Sequence, residues 1–150
     1  MQLTPKDQKK IEESYAKSFD MARNNDYQSL EILLKNGLNP DLTNDRGDSL
    51  LILASYHNSV ECVELLLKYH ASVDKVNDKD LSPLSGVCYK GHVEVAKLLL
   101  QAGANPDLSN SMGMTPYSFA IMFRRKEIIK LLKRYSCKKL NFFKRIWIAF

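Results

Sequence analysis

Four leucine-rich blocks recur at an interval of 33 residues: Ile32-Leu33-Leu34, Leu65-Leu66-Leu67, Leu98-Leu99-Leu100 and Leu131-Leu132. Other columns keep the same step. Asp41, Asp74 and Asp107 align, as do Gly47, Asp80 and Gly113, then Leu50, Pro83 and Pro116. Met21, Ala54, Val87 and Ala120 form a further column. Chance does not hold so many columns in phase, so the chain is a tandem repeat. A unit this short cannot bury its apolar faces alone. Stability must come from stacking neighbours, which restricts the fold to a solenoid closed by polar ends.

Each unit is punctuated as a pair of helices. Ser49, Ser82 and Thr115 stand where a hydroxyl can accept from a free helix amide, and prolines 83 and 116 follow at the first helical position. Ala22, Ser55 and Cys88 are small enough to let neighbouring first helices approach closely. Gly37 and Gly103 lie just past the leucines, where a left-handed residue ends a helix. His70 and Ser136 replace them in the other units, histidine tolerating positive φ better than serine. At the start, Thr4-Pro5 opens a longer helix over 5–24, with Ile11, Tyr15, Phe19 and Ala22 expected on one face as a cap. At the other end Lys133 replaces the leucine of the earlier blocks, as a closing repeat requires.

Ser82-Pro83-Leu84 and Thr115-Pro116-Tyr117 open short helices, and Ala102-Gly103-Ala104-Asn105-Pro106-Asp107 follows a leucine block. With the period, these segments resemble the ankyrin repeat and its T-P-L-H-x-A signature over about residues 17–137. The resemblance implies an all-α ankyrin-repeat solenoid of stacked helix pairs with β-hairpin or turn tips, about four repeats including caps. The expected domain spans 1–137: a capping helix with the first repeat over 5–42, then repeats at 43–75, 76–108 and 109–137. Residues 138–150 form a basic, aromatic tail. One departure stands out. The signature histidine is replaced by Ile52, Ser85 and Ser118, so the bonds that brace the tips in the family must be absent or made otherwise.

Charge and cysteines narrow the function. Residues 1–123 hold 12 Lys and Arg against 16 Asp and Glu, whereas residues 124–150 hold 10 against Glu127 alone. Cys62, Cys88 and Cys137 are odd in number and never in a C-x-x-C pair, so neither a disulfide framework nor a metal site is expected. The first twenty residues carry charges throughout, and no stretch approaches the roughly 20 apolar residues of a spanning helix. A cytoplasmic location is the expectation. There is no Gly-rich phosphate loop, no G-x-S-x-G and no H-E-x-x-H, so the chain is not expected to be an enzyme.

Ankyrin domains bind through their tips and the exposed side of the first helices. Position by position, the resemblance implies a partner-binding set of Arg46, Asp48, Lys79, Leu81, Met112 and Met114 on the tips. On the helices it implies Tyr56, His57, Tyr89, Lys90, Met122 and Phe123, with Tyr56, Tyr89 and Met122 in one column. Aromatic residues dominate interface energetics, although a tyrosine here can equally cover the neighbouring repeat. Tyr56 beside His57 can be read as a haem or metal ligand pair, or as solvated side chains. His92 is expected to be structural.

The stretch Leu42 to His57, with Ser82-Pro83-Leu84-Ser85-Gly86-Val87-Cys88-Tyr89-Lys90-Gly91, is similar to small bacterial ankyrin proteins encoded beside haem catalases. That narrower resemblance implies an accessory factor for a haem catalase in peroxide resistance, the catalase being its partner. Alternatives are a carrier holding haem through Tyr56 or His57 and a scaffold anchored by its basic tail. No nucleic-acid partner is expected. The tail reads either as a cap over the last repeat or as a peripheral membrane contact through 138–150.

Overall fold

The computed structural model describes residues 2–136, and within them eight helices form four antiparallel pairs. The first members are α1 (Pro5–Arg23), α3 (Leu50–Tyr56), α5 (Pro83–Lys90) and α7 (Pro116–Met122). The second members are α2 (Tyr27–Lys35), α4 (Val60–Lys68), α6 (Val93–Gln101) and α8 (Lys126–Leu132). First helices pack in the order α1, α3, α5, α7, and second helices in the order α2, α4, α6, α8. This is the expected solenoid: two layers of helices, each pair touching only its neighbours.

The caps lie where the sequence puts them. Ser49, Ser82 and Thr115 accept from the amides of Ile52, Ser85 and Ser118, and Thr4 forms a capping box with Asp7 at the start of α1. Gly37, His70 and Gly103 take φ of 97°, 61° and 94°, ending the second helices in the left-handed region. Ser136, in the same column, is not left-handed. After α8 the chain winds down through successive turns instead, with Ser136 N donating to Leu132 O.

The core runs between the layers. Leu30, Leu50, Leu66, Leu84, Leu99 and Leu132 are fully buried, each contributing about 2–3 kcal/mol of transfer free energy. Lys133 is exposed, as a terminal repeat needs. In α1, Ser18 and Ala22 point inward while Tyr15 remains exposed. This corrects the face expected for Tyr15. Ser18 shares a column with Leu51, Leu84 and Tyr117, and its hydroxyl is satisfied by Tyr15 O.

The aspartate column ties each unit to the next. Asp41 accepts from Ser72 N and Ser72 Oγ, both at 2.7 Å. Asp74 accepts from Asn105 N at 3.0 Å, and Asp107 from Ser136 Oγ at 2.6 Å. The tips are turns, with one antiparallel bridge among the described residues, Thr43 to Ser49. No helix there is long and apolar enough to cross a membrane. Cys137 and the tail 138–150, with its cap and membrane readings, lie outside the described residues.

Candidate functional site

The first helices end in a repeated structure that fixes their last side chains. Asn25, Asn58, Gly91 and Arg124 lie 33 residues apart and all take positive φ, turning the chain sharply toward the second helix. Just beyond each turn, the next unit reaches back to the previous one. Ser59 Oγ donates to Arg23 O at 3.0 Å. The His92 ring nitrogen Nε2 bonds Tyr56 O at 3.0 Å. The Arg125 guanidinium donates to Tyr89 O at 3.1 and 2.7 Å. Serine, histidine and arginine thus perform one role in one column, and His92 is structural as expected.

These anchors hold an aromatic ladder in place. The rings of Tyr56 and Tyr89 stack with centroids 6.4 Å apart and planes 11° from parallel. Phe123 meets Tyr89 edge-on at 4.6 Å, and His57 meets Tyr56 edge-on at 5.5 Å. Lys90 Nζ lies 5.1 Å over the Tyr56 ring, in cation–π range. The ring that continues the ladder in the last unit is therefore Phe123, one residue beyond the expected Met122. Met122 is itself 59% exposed.

The tyrosines cover the neighbouring repeat and still keep exposed surface. Tyr56 lies over the neighbouring repeat, close enough that a Cβ on Gly86 would be 3.4 Å from its ring. Yet Tyr56, Tyr89 and Phe123 keep 39%, 42% and 36% of their surface exposed. Packing each ring against its neighbour orders the ladder and leaves the rest of its surface open to solvent.

Residues 56–58, 89–91 and 122–125 contain no Asp or Glu, while Lys90, Arg124 and Arg125 are among them. His57 responds to this setting. Partial burial, and then the charges of Arg23, Lys90 and His92, lower its pKa below the usual histidine value. Near neutral pH its imidazole is uncharged.

The tips, at the other end of the first helices, are organised by a column that the sequence reading passed over. Asn44, Asn77 and Asn110 each fold a side-chain oxygen into the turn that follows. Asn44 Oδ1 accepts from Arg46 N and Asp48 N at 3.0 and 2.9 Å. Asn77 Oδ1 accepts from Lys79 N and Leu81 N, both at 3.0 Å. Asn110 Oδ1 accepts from Met112 N and Met114 N at 3.0 and 2.9 Å. One asparagine therefore places both expected tip residues of its unit. The 33-residue step of Asn44, Asn77 and Asn110 was the available signal.

In place of the signature histidine, Ser85 Oγ pairs with Ser82 Oγ and Ser118 Oγ accepts from Thr115 N, whereas Ile52 brings no polar side-chain atom. Among the tip residues, Met112 is 78% exposed, an unusual exposure for a large apolar side chain. Asp48 is engaged internally, accepting from Asn77 Nδ2 at 2.7 Å.

The two thiols among the described residues, Cys62 and Cys88, are buried and unreactive. Burial, followed by Asp26 and Glu61, pushes Cys62 up to about 12, and burial alone raises Cys88, so neither forms a thiolate near neutral pH. Among the described residues no three His, Cys, Asp or Glu side chains gather as a metal site.

The family model described as ankyrin repeats (3 copies) matches residues 19–110 and, overlapping, 70–142. A protein of Pseudomonas aeruginosa named as an ankyrin repeat protein is 62% identical over 39 residues. That alignment covers 26% of this chain and 23% of the relative.

Proposed function

From the premise that the chain belongs to the ankyrin-repeat family, we propose that it is a protein-binding module whose partner seats on the ladder of His57, Tyr56, Tyr89 and Phe123. Ankyrin repeats serve as protein-interaction modules and are in general not catalytic. The carrying observation is the ladder itself: ordered rings, more than a third exposed, beside cations and without acids. Rigid aromatic side chains bind with little loss of side-chain entropy and are frequent hot spots. Lys90 and Arg124 at the rim suit a partner whose contact surface carries acidic groups.

The partner proposed is a haem catalase, with the module as its accessory factor in peroxide resistance. This rests on the likeness of residues 42–57 and 82–91 to the small ankyrin proteins encoded beside such enzymes. The test is titration of the full chain with a purified haem catalase, read by an interface-sensitive signal. Replacing Tyr56→Ala and Tyr89→Ala together should weaken binding by about 30-fold or more, the equivalent of about 2 kcal/mol. Unchanged binding by a folded double variant would assign the rings to packing alone.

A second reading has one observation in its favour. His57 is uncharged near neutral pH, the form that ligates metal, and sits edge-on to the exposed Tyr56. A haem carrier using either residue should give a saturable Soret shift near one equivalent, lost in His57→Ala or Tyr56→Phe. A shift that neither change affects is surface adsorption and ends this reading.

A further inference from the structure

The pair α7–α8 ends the described stack, and its outward face is built unlike the faces that the earlier pairs turn toward it. Among the described residues nothing lies before α1–α2, so columns buried in that pair face forward along the stack. Ala22, Leu30 and Leu34 are such residues, at 0%, 0% and 5% exposure. Their counterparts in the last pair are Ile121, Ile129 and Lys133. Ile121 and Ile129 are half-buried, and Lys133 is exposed. Lys126 and Lys130 flank Ile129 at helical spacing, both exposed. Lys126 stands in the column of Val60 and Val93, and Lys133 in that of Leu34, Leu67 and Leu100. A solenoid end has to be polar, but acids, amides or hydroxyls would meet that need equally. Here both replacements are lysine, and Arg134 extends the row. The one acid of α8, Glu127, lies 3.4 Å from Lys130.

We propose that this end of the solenoid docks on an anionic lipid surface. Charge is the first argument. Four cations of α8 and the turn after it face one acid, while residues 1–123 hold 12 Lys and Arg against 16 Asp and Glu. A negative plane therefore attracts this end and repels the other, which orients the molecule before contact. Apolar surface is the second. Ile121 and Ile129 are only half-covered, and Met122 and Tyr135 keep 59% and 40% of their surface exposed. A nucleic acid would satisfy the lysines and leave these groups in water. The boundary between headgroups and acyl chains takes both, the lysine stems lying along the apolar side while their heads meet phosphate. Two antiparallel helices side by side also present a broad face to a planar partner. The sequence beyond α8 continues the same chemistry, with Lys138, Lys139, Lys144 and Arg145 among Phe142, Phe143 and Trp147. No described helix is long and apolar enough to cross a membrane, so the contact of this face is peripheral and reversible.

The experiment is sedimentation of the full-length protein with phosphatidylcholine vesicles containing about 30% phosphatidylserine. The protein should bind these, ignore pure phosphatidylcholine, and release at about 0.5 M salt, where screening is nearly complete. Lys126→Gln with Lys130→Gln and Arg134→Gln removes three exposed charges. It should weaken binding about 100-fold, at about fivefold per charge, with an unchanged helical circular dichroism spectrum. Glu127→Gln removes the one opposing charge and should strengthen binding about fivefold. The proposal is overturned by absent binding, by equal binding to neutral vesicles, or by a triple variant that binds as the wild type does. The last result would move the contact elsewhere in the chain, residues 138–150 included. A protein that ignores the vesicles and binds a short DNA duplex overturns it in favour of nucleic acid. Tyr56→Ala with Tyr89→Ala should leave vesicle binding unchanged, so this face and the ladder stand or fall separately.

Discussion

The two ends of the first helices treat the repeat differently. At the turn into the second helix, three successive junctions close on the same acceptor, the carbonyl of Arg23, Tyr56 or Tyr89, although the donor changes from Ser59 to His92 to Arg125. At the first tip junction Asp78 N donates to Arg46 O beside Gly47, and Asp48 takes Asn77 Nδ2. Two column changes, Gly47 to Asp80 and Asp48 to Leu81, turn that closed junction into an open one, where Ser111 N donates to the Asp80 carboxylate instead. A column survives substitution when the new side chain reaches the same acceptor. It fails when the substitution removes the acceptor or adds bulk between two backbones.

The largest test of that contrast is steric. Gly47→Ala places a Cβ at φ +72°, 2.9 Å from Asp78 N, and should lower unfolding free energy by about 3 kcal/mol in denaturant melts. Gly113→Ala, at φ +75° with nothing within 4 Å of the added carbon, should lower it by only about 1 kcal/mol. Equal losses would show that conformation alone governs both tips.

Arg125→Ala tests the uniform end. It removes both bonds to Tyr89 O and should destabilise by about 2 kcal/mol in the same melts. Arg125→His, copying the preceding repeat, should recover most of that. No recovery would mean that the column does not share one role.

The reciprocal exchange at the tips should have opposite signs. Asp48→Leu strands Asn77 Nδ2 and should lower stability by about 1–2 kcal/mol. Leu81→Asp gives Asn110 Nδ2 an acceptor and should raise stability by about 1 kcal/mol. Two changes of the same sign would break the account of the open junction.

The smallest effect is electrostatic and confined to the ladder. His57 has a folded pKa below its unfolded value, near 6.5, so the unfolded chain binds its proton more readily. Its contribution is therefore complete above pH 6.5 and declines as pH falls from there toward the folded value. His57→Gln should flatten this part of the stability–pH profile, a comparison of the two profiles being the check. An unchanged slope would remove His57 as its source.

Much of this was legible in the chain. The 33-residue step gave the helix pairs, the hydroxyl caps, the left-handed turns at Gly37, His70 and Gly103, and the polar terminus at Lys133. Periodicity can do this because each unit meets only its neighbours, so position along the sequence is nearly position along the stack. Tyr56 and Tyr89 were placed in register by the same logic. What the step could not decide was which atoms meet across it. Phe123 rather than Met122 packs on Tyr89, Ser18 rather than Tyr15 points inward, and Asp48 bonds inside the fold. Asn110 Nδ2 is stranded by a leucine 29 residues earlier. Those outcomes depend on ring direction, rotamer and backbone separation of a few ångströms. A one-dimensional register fixes which residues are neighbours, and only the packed structure fixes how they touch.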